Sequence, residues 1–298
     1  MGKADRIRQR NARERIAAQQ AAARRVEARR RTLLAFGSVF AVLAVVVGLI
    51  VAKSLAKPPK ADAAVATSAK LIAAEITSVP AATLNAVGRG DAAALTPTKG
   101  SHAVLTSGGK PEILFVGAEY CPYCAAERWA LAVALSRFGT FTGLHFIHSS
   151  STDVYPDTPT LSFYGATYTS KYVDFQPVEM YGLVDNGKIL QEPNAAQSAL
   201  MSKFDAPPYV QSSQSGSFPF VDVGNQYIDI GAQYIPGDLA KLTWGQVATE
   251  LRNDPSSTVA KDIDGAANSI TAAICKITKD APAAVCNSSA AKAGEGLL

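Results

Sequence analysis

The chain has 298 residues, of which 48% are hydrophobic and 18% charged, so we expect a real hydrophobic core in one large domain or in two small ones with appendages. The net charge of +4 hides an asymmetry, because residues 1–31 carry eleven Lys/Arg and three acidic residues, or +8, and the remainder carries 18 basic and 22 acidic residues, or −4. The basic character therefore belongs to an N-terminal segment, which argues against nucleic-acid binding by the folded part.

Residues 1–31 are predicted to be a basic cytoplasmic segment. Their Arg, Ala, Gln and Glu residues favour helix, so the segment is either a helix near anionic lipid headgroups or a solvated, partly disordered tail. Nucleic-acid binding by this segment is a minor alternative, since no aromatic residue lies among the arginines to stack on bases.

Residues 32–52 form a run of 21 residues without a charge, which is long enough to cross a bilayer as one helix. A buried helix of a soluble domain and a cleaved signal peptide are the alternatives. The flanking arginines argue against the first, and the length of the basic and apolar runs argues against the second. We therefore favour a retained anchor. The excess of Lys/Arg before the run places the N-terminus in the cytoplasm and the rest of the chain outside it, where disulfides are chemically reasonable.

The Ala/Lys/Pro-rich residues 53–70 are predicted to be a stalk, and residues 71–286 an extracytoplasmic α/β domain. It begins with a short helical lead-in that has Pro80 near a helix start and ends at Gly88. Next come an apolar strand at 113–116, a helix up to about residue 138, and a second strand at 144–148.

The second half of the domain combines a segment with a weak secondary-structure pattern and segments with clear ones. The loose pattern of residues 149–217 indicates an insertion with some strand character, which borders or covers the site described next. Alternation on both sides of a Gly-Asn turn predicts a hairpin over 218–230, and helices are expected at 243–253 and 257–277. The last residues, 287–298, are small and polar and are predicted to be disordered.

The strongest chemical signal is the sequence Cys-Pro-Tyr-Cys at residues 121–124, between the first strand and its helix. A cysteine at a helix N-terminus has its thiolate stabilised by unpaired backbone N–H groups, which predicts a redox-active dithiol. Half of a zinc site is the alternative, but the other two cysteines are eleven positions apart and the three histidines are scattered, so no metal is expected. In the redox interpretation Cys121 attacks a partner disulfide and Cys124 resolves the mixed disulfide.

This strand, turn and helix resemble the active-site segment of the thioredoxin superfamily, and the Pro-Tyr dipeptide is typical of glutaredoxins. Residues 218–224 resemble the cis-proline strand of the same superfamily. The resemblance implies a thioredoxin-like domain with a central mixed sheet, and a cis Pro219 that sits against Cys121. Phe218 and Pro219, with Tyr123 beside them, are then expected to bind an extended peptide. An ordinary trans proline at a strand edge is the alternative.

Over residues 71–286 the chain is also similar to a family of membrane-anchored thioredoxin-like proteins of actinobacteria and some archaea whose domain has no known function. Thioredoxins carry a buried acid six residues before the first cysteine, where this chain has Phe115. Proton transfer therefore needs another group or water. Glu119 and Glu127 are the nearby candidates, although a solvated surface position is the favoured interpretation of each.

Cys275 and Cys286 form a second pair. In an oxidising compartment a structural disulfide is the default interpretation, and a relay of electrons to or from the first pair is the alternative.

The sequence thus predicts a thiol–disulfide oxidoreductase without a cofactor. It would act on exported or envelope proteins, or on a membrane redox partner, through mixed disulfides, with oxidation or isomerisation slightly favoured over reduction. A reductase that serves haem or copper-site maturation is a further option. The rival from another class is a non-catalytic scaffold that docks an envelope or membrane protein, with both cysteine pairs as permanent disulfides.

Overall fold

A computed structural model describes residues 63–183 and 188–298. The predicted basic segment, anchor and first part of the stalk lie outside these residues. No helix within the described ranges combines the length and apolar character that crossing a membrane requires.

The described residues form a mixed α/β domain. The α-helices are α1 (Ala63–Ile76), α2 (Ala81–Val87), α3 (Pro122–Ser136), α4 (Ala195–Phe204), α5 (Trp244–Asn253), α6 (Thr258–Ile277), α7 (Ala283–Cys286) and α8 (Ser289–Gly294). The strands are β1 (Thr96–Pro97), β2 (Thr106–Ser107), β3 (Lys110–Ala118), β4 (Gly139–Thr142), β5 (His145–His148), β6 (Pro159–Ser162), β7 (Thr167–Ser170), β8 (Asp174–Tyr181), β9 (Phe220–Val223) and β10 (Tyr227–Ile230). Short 3₁₀ turns lie at Ser212–Gln214, Pro236–Leu239 and Glu295–Leu297.

The main sheet is built around β3. Its residues 113–116 pair antiparallel with β9 on one edge and parallel with β8 on the other. Beyond β9 come β10 and then β1, both antiparallel to their neighbours, and β2 pairs with the start of β3. Since strand side chains alternate between faces, Ile113 and Phe115 enter the larger core, and Leu114 and Val116 enter a smaller one on the opposite face.

Two helical layers cover these faces. α3 and α6 are almost wholly buried in the larger core, and α4 contributes Phe204 to the smaller one. The predicted hairpin is confirmed, with Gly224 and Asn225 at φ +64° and +60° in its turn. The predicted helices near 243–253 and 257–277 are also confirmed, and Thr243 caps α5 as expected.

The predicted strand at 144–148 is confirmed as β5, whereas the segment 149–217, predicted to be an insertion with some strand character, contains a strand of the main sheet. β5 forms a separate two-stranded sheet with β6, and β8, inside the predicted insertion, is the strand that pairs with β3. The place of β8 in the main sheet escaped prediction because the strand mixes polar residues with Pro177, which lacks an N–H. A proline is tolerated there because β8 has no second neighbour among the described strands of the main sheet.

The two ends of the domain also need correction. Helix α1 starts at Ala63, inside the predicted stalk. The predicted disordered tail contains α8, which packs on α6, and Leu297 is buried. Its small residues allow close helix contact rather than disorder, as Ala290 and Ala291 are both buried.

Candidate dithiol site

Cys121 and Cys124 lie at the start of α3, where β3 ends. Cys121 is the N-cap residue and Pro122 occupies the first helical position, which suits a residue without an N–H. The backbone N–H of Cys124 donates to Cys121 Sγ at 3.4 Å. The outer sulfur thus takes one of the N–H groups that a helix start leaves unpaired, as the sequence predicted.

The two thiols have different environments. Cys121 is 8% exposed, whereas Cys124 is fully buried and accepts an N–H from Ala118 at 3.4 Å. A hydrogen bond from the Cys124 thiol, together with the Cys124 N–H and the charge of Arg128, lowers the pKa of Cys121 despite its burial. Burial raises the pKa of Cys124 well above its usual value. The reduced pair therefore carries its first negative charge on the outer sulfur.

A groove of about 710 Å³ opens beside Cys121. Tyr123 and Phe218 line it, together with residues from the segment before β9 and from the end of β10. The Phe218 carbonyl oxygen lies 3.8 Å from Cys121 Sγ, and the Phe218–Pro219 peptide bond is cis, as the resemblance implied. The structure thus brings the residues that are expected to contact a substrate together at the carboxyl end of β3.

The segment between β5 and β6 packs against the outside of the dithiol turn. Tyr155 meets the half-exposed ring of Tyr123 edge-on, with 5.8 Å between ring centroids. The Ser150 N–H donates to the Tyr120 carbonyl at 2.7 Å, one residue before Cys121. The prediction that residues 149–217 border the dithiol is therefore correct for this first part.

The expectation that Glu119 and Glu127 are surface carboxylates is wrong. Glu119 is buried and accepts a hydrogen bond from Ser162 at 2.6 Å. Glu127 is fully buried and faces the carboxyl group of Asp229, and burial together with this neighbour raises its pKa well above the usual value. Within the described residues neither carboxylate hydrogen-bonds a cysteine sulfur.

A buried ion pair beside the dithiol escaped prediction. Arg128 and Glu179 are both fully buried, with Arg128 Nε and Nη2 donating to the two carboxylate oxygens at 2.8 and 2.7 Å. Arg128 Nη2 also donates to the Ala118 carbonyl at 2.7 Å. The available signal was a charged residue four positions after Cys124, next to Glu127, in a helix whose other residues are mostly apolar.

A protein-family model described as a domain of unknown function, DUF929, matches residues 96–276. The chain belongs to this family. No curated protein and no solved structure matches the chain. The DUF929 match includes the dithiol, the Arg128–Glu179 pair and the groove residue Phe218, and it ends at residue 276, before Cys286.

The second cysteine pair lies at the edge of the DUF929 match and is a disulfide. Cys275, near the end of α6, is bonded to Cys286, at the end of α7, and both residues are buried. The bond joins α6 to the C-terminal segment that carries α8.

Proposed function

We propose that this protein is a thiol–disulfide oxidoreductase that acts through Cys121 and Cys124 on exported or envelope proteins, or on a membrane redox partner. The observation that carries the proposal is the unequal pair itself: a sulfur with a lowered pKa at the rim of an open groove, and a buried sulfur beneath it with a raised one. In this exchange, which is reversible, the Cys121 thiolate attacks a partner disulfide, and Cys124 then attacks Cys121 Sγ of the mixed disulfide and releases the partner sulfur as a thiolate.

We further propose that the domain is thioredoxin-like. The order β8, β3, β9, β10 supports this, with β8 parallel and β9 antiparallel to β3. Two further supports are the helix that follows β3 directly and the proximity of Phe218 to Cys121.

The substrate side of the proposal is an extended segment of a partner protein lying in the groove. Phe218 and Tyr123 supply apolar contact there, and the Pro219 carbonyl is already held by the Gly231 N–H at 2.9 Å, which fixes this wall of the groove. No bound cofactor takes part, since thiol–disulfide exchange needs only sulfur nucleophiles and a partner disulfide.

A trapping experiment tests the activity. In cells, Cys124→Ser removes the resolving sulfur, so Cys121 is expected to accumulate mixed disulfides with exported proteins. The matched control, Cys121→Ser/Cys124→Ser, should show none. Absence of adducts on Cys124→Ser, together with a reduction potential of the full-length protein below about −300 mV, would replace this proposal with the scaffold role.

We also propose that residues 32–52 anchor the protein in the membrane with the N-terminus in the cytoplasm and the dithiol outside. The support is the uncharged 21-residue run behind eleven basic residues. A Gly2→Cys variant tests the orientation. A membrane-impermeant thiol reagent applied to intact cells should leave this thiol unlabelled, as read by mass spectrometry of the N-terminal peptide, and should label it after lysis.

A further inference from the structure

Arg128 and Cys124 share one face of α3. They are four residues apart, a spacing that places two side chains over each other on a helix, and both are fully buried. The guanidinium also lies over the ring of Phe115, with 5.7 Å from its carbon to the ring centroid. A buried cation therefore lies next to the thiol pair, on the same side of the sheet as Phe115.

Residue Ala118 links the cation to the sulfur. Its carbonyl accepts from Arg128 Nη2 at 2.7 Å, and its N–H donates to Cys124 Sγ at 3.4 Å. The register of β3 against β8 shifts at this point, between Gly117 and Ala118. Arg128 thus holds the Ala118 peptide group, which in turn contacts the buried sulfur, at a point where the regular pairing of β3 with β8 is interrupted.

Glu179 balances the arginine without using all of its donors. Its carboxylate takes Nε and Nη2 of Arg128 and also accepts the Phe163 N–H at 3.2 Å. Arg128 Nη1 is buried and has no hydrogen-bond partner among the described residues. Positive charge from this guanidinium consequently acts on the dithiol: it contributes to the lowered pKa of Cys121 and opposes the burial that raises the pKa of Cys124.

Within the described residues the neighbouring carboxyl groups of Glu119 and Glu127 have other partners and do not hydrogen-bond a cysteine sulfur. Glu119 is held by Ser162, and Glu127 faces Asp229. Phe115 is an apolar residue next to the guanidinium. The environment of the reduced pair therefore favours one negative charge, on the outer sulfur of Cys121.

We infer that Arg128 is a positioning residue that stabilises the single negative charge of the reduced Cys121–Cys124 pair, and that the disulfide form of the site therefore acts as an oxidant of thiols in partner proteins. This inference rests on the proposed function and assigns its direction. The charge is present in the dithiol and absent in the disulfide, so its stabilisation favours reduction of the site.

The reaction is balanced in thiols and disulfides. A substrate thiolate attacks Cys121 Sγ, the Cys121–Cys124 bond breaks, and Cys124 leaves as a thiolate beside Arg128 and the Ala118 N–H. A second substrate thiolate then attacks the substrate sulfur of the mixed disulfide and releases Cys121 as the thiolate. The substrate loses two electrons and two protons and gains a disulfide, and the site gains the two electrons. Of the two protons that the substrate thiols lose, one is taken up by the Cys124 thiolate and the other passes to solvent.

Two variants with opposite charge effects test the inference on the full-length protein. Arg128→Gln/Glu179→Gln removes both charges and keeps amide hydrogen bonding. We expect a higher Cys121 pKa, measured by the pH dependence of its alkylation. We also expect a shift of about tenfold toward the disulfide at equilibrium with glutathione, which equals about 30 mV. Glu179→Gln alone removes the balancing charge and should shift both quantities the other way.

Shifts of the same sign in the two variants, or no shift in either, would overturn the inference, since a purely structural role has no reason to change sign with charge. Arg128→Lys, which keeps the charge, should lie closer to the unmodified protein than the double variant. The unmodified protein gives a readout that does not depend on any variant folding: excess reduced glutathione should reduce its disulfide. A disulfide that persists there contradicts the direction. If the disulfide persists but Cys124→Ser traps adducts, the proposed function stands and only its direction is overturned. If the disulfide persists and Cys124→Ser traps no adducts, both the proposed function and its direction are overturned.

Discussion

The two cysteine pairs of this protein differ in bonding and in surroundings. Cys121 and Cys124, with two residues between them, lie at a helix start beside an open groove and a buried cation. Cys275 and Cys286 are bonded to each other and buried where α6 meets the C-terminal segment. The two pairs thus differ in access and local charge, the properties that separate the pair proposed to be reactive from the disulfide.

The largest effect is expected from a substitution in the Cys121–Cys124 pair. Cys121→Ser removes the attacking sulfur, so exchange with a peptide disulfide should fall to the uncatalysed rate. The measurement is the initial rate of thiol release by the full-length protein. Catalysis that survives this substitution would place the reactive sulfur elsewhere, and the Cys275–Cys286 pair would be the next to examine.

The next largest effect is expected from removing the Cys275–Cys286 disulfide. Cys275→Ala/Cys286→Ala opens a link across a sequence separation of 11 residues, for which loop-closure entropy predicts a loss of about 3 kcal/mol of unfolding free energy. Urea unfolding measures this loss. The exchange rate should stay unchanged, and a large drop in that rate would favour the electron relay that the sequence left open.

A smaller effect tests the packing of the C-terminal segment against α6. A Cβ at Gly294 would stand 2.1 Å from the Asn268 carbonyl oxygen, so Gly294→Ala forces the helices apart and should cost about 1–3 kcal/mol. Gly296→Ala is the matched control, because a Cβ there meets nothing within 4 Å. Equal stability of the two variants in urea would contradict the close packing.

Local pattern was enough to predict the elements that flank the dithiol. The apolar run of β3, the Cys-Pro-Tyr-Cys turn, the Gly-Asn hairpin and the Thr243 cap all act within a few residues, so their outcome is readable from neighbours in sequence. Sequence pattern alone also paired Cys275 with Cys286.

The failures share a different cause. β8 reaches the sheet only through its long-range pairing with β3, and its proline and glutamate contradict the usual strand pattern. The sequence predicts a surface position for Glu127 and makes no prediction for Arg128, because charged residues are seldom buried and the partners Asp229 and Glu179 lie far along the chain. Burial that depends on distant partners cannot be inferred from local composition.

The smallest effect concerns the buried carboxyl pair one helical turn beyond Cys124. Burial raises the pKa of both Glu127 and Asp229, that of Asp229 to about 7. The Asp229 carboxyl raises the pKa of Glu127 further, whereas the hydrogen bond with Glu127 lowers that of Asp229. The folded protein then holds protons that the unfolded chain releases above its ordinary carboxyl pKa of about 4. This contribution to stability is full below that pH and is lost as the pH rises toward the raised folded-state values.

Asp229→Asn should therefore flatten the fall in unfolding free energy between about pH 4 and neutrality, with a gain of about 1 kcal/mol at neutral pH, since a tenfold change in proton affinity corresponds to about 1.4 kcal/mol. Asp254→Asn is the control of opposite sign, because hydrogen bonds from Ser256 lower the pKa of the exposed Asp254 carboxyl, and its contribution is lost as the pH falls. Urea unfolding across this pH range distinguishes the two. A steeper fall in Asp229→Asn would mean that the pair is ionised in the folded protein, and the dithiol would then have a second charged neighbour in addition to Arg128.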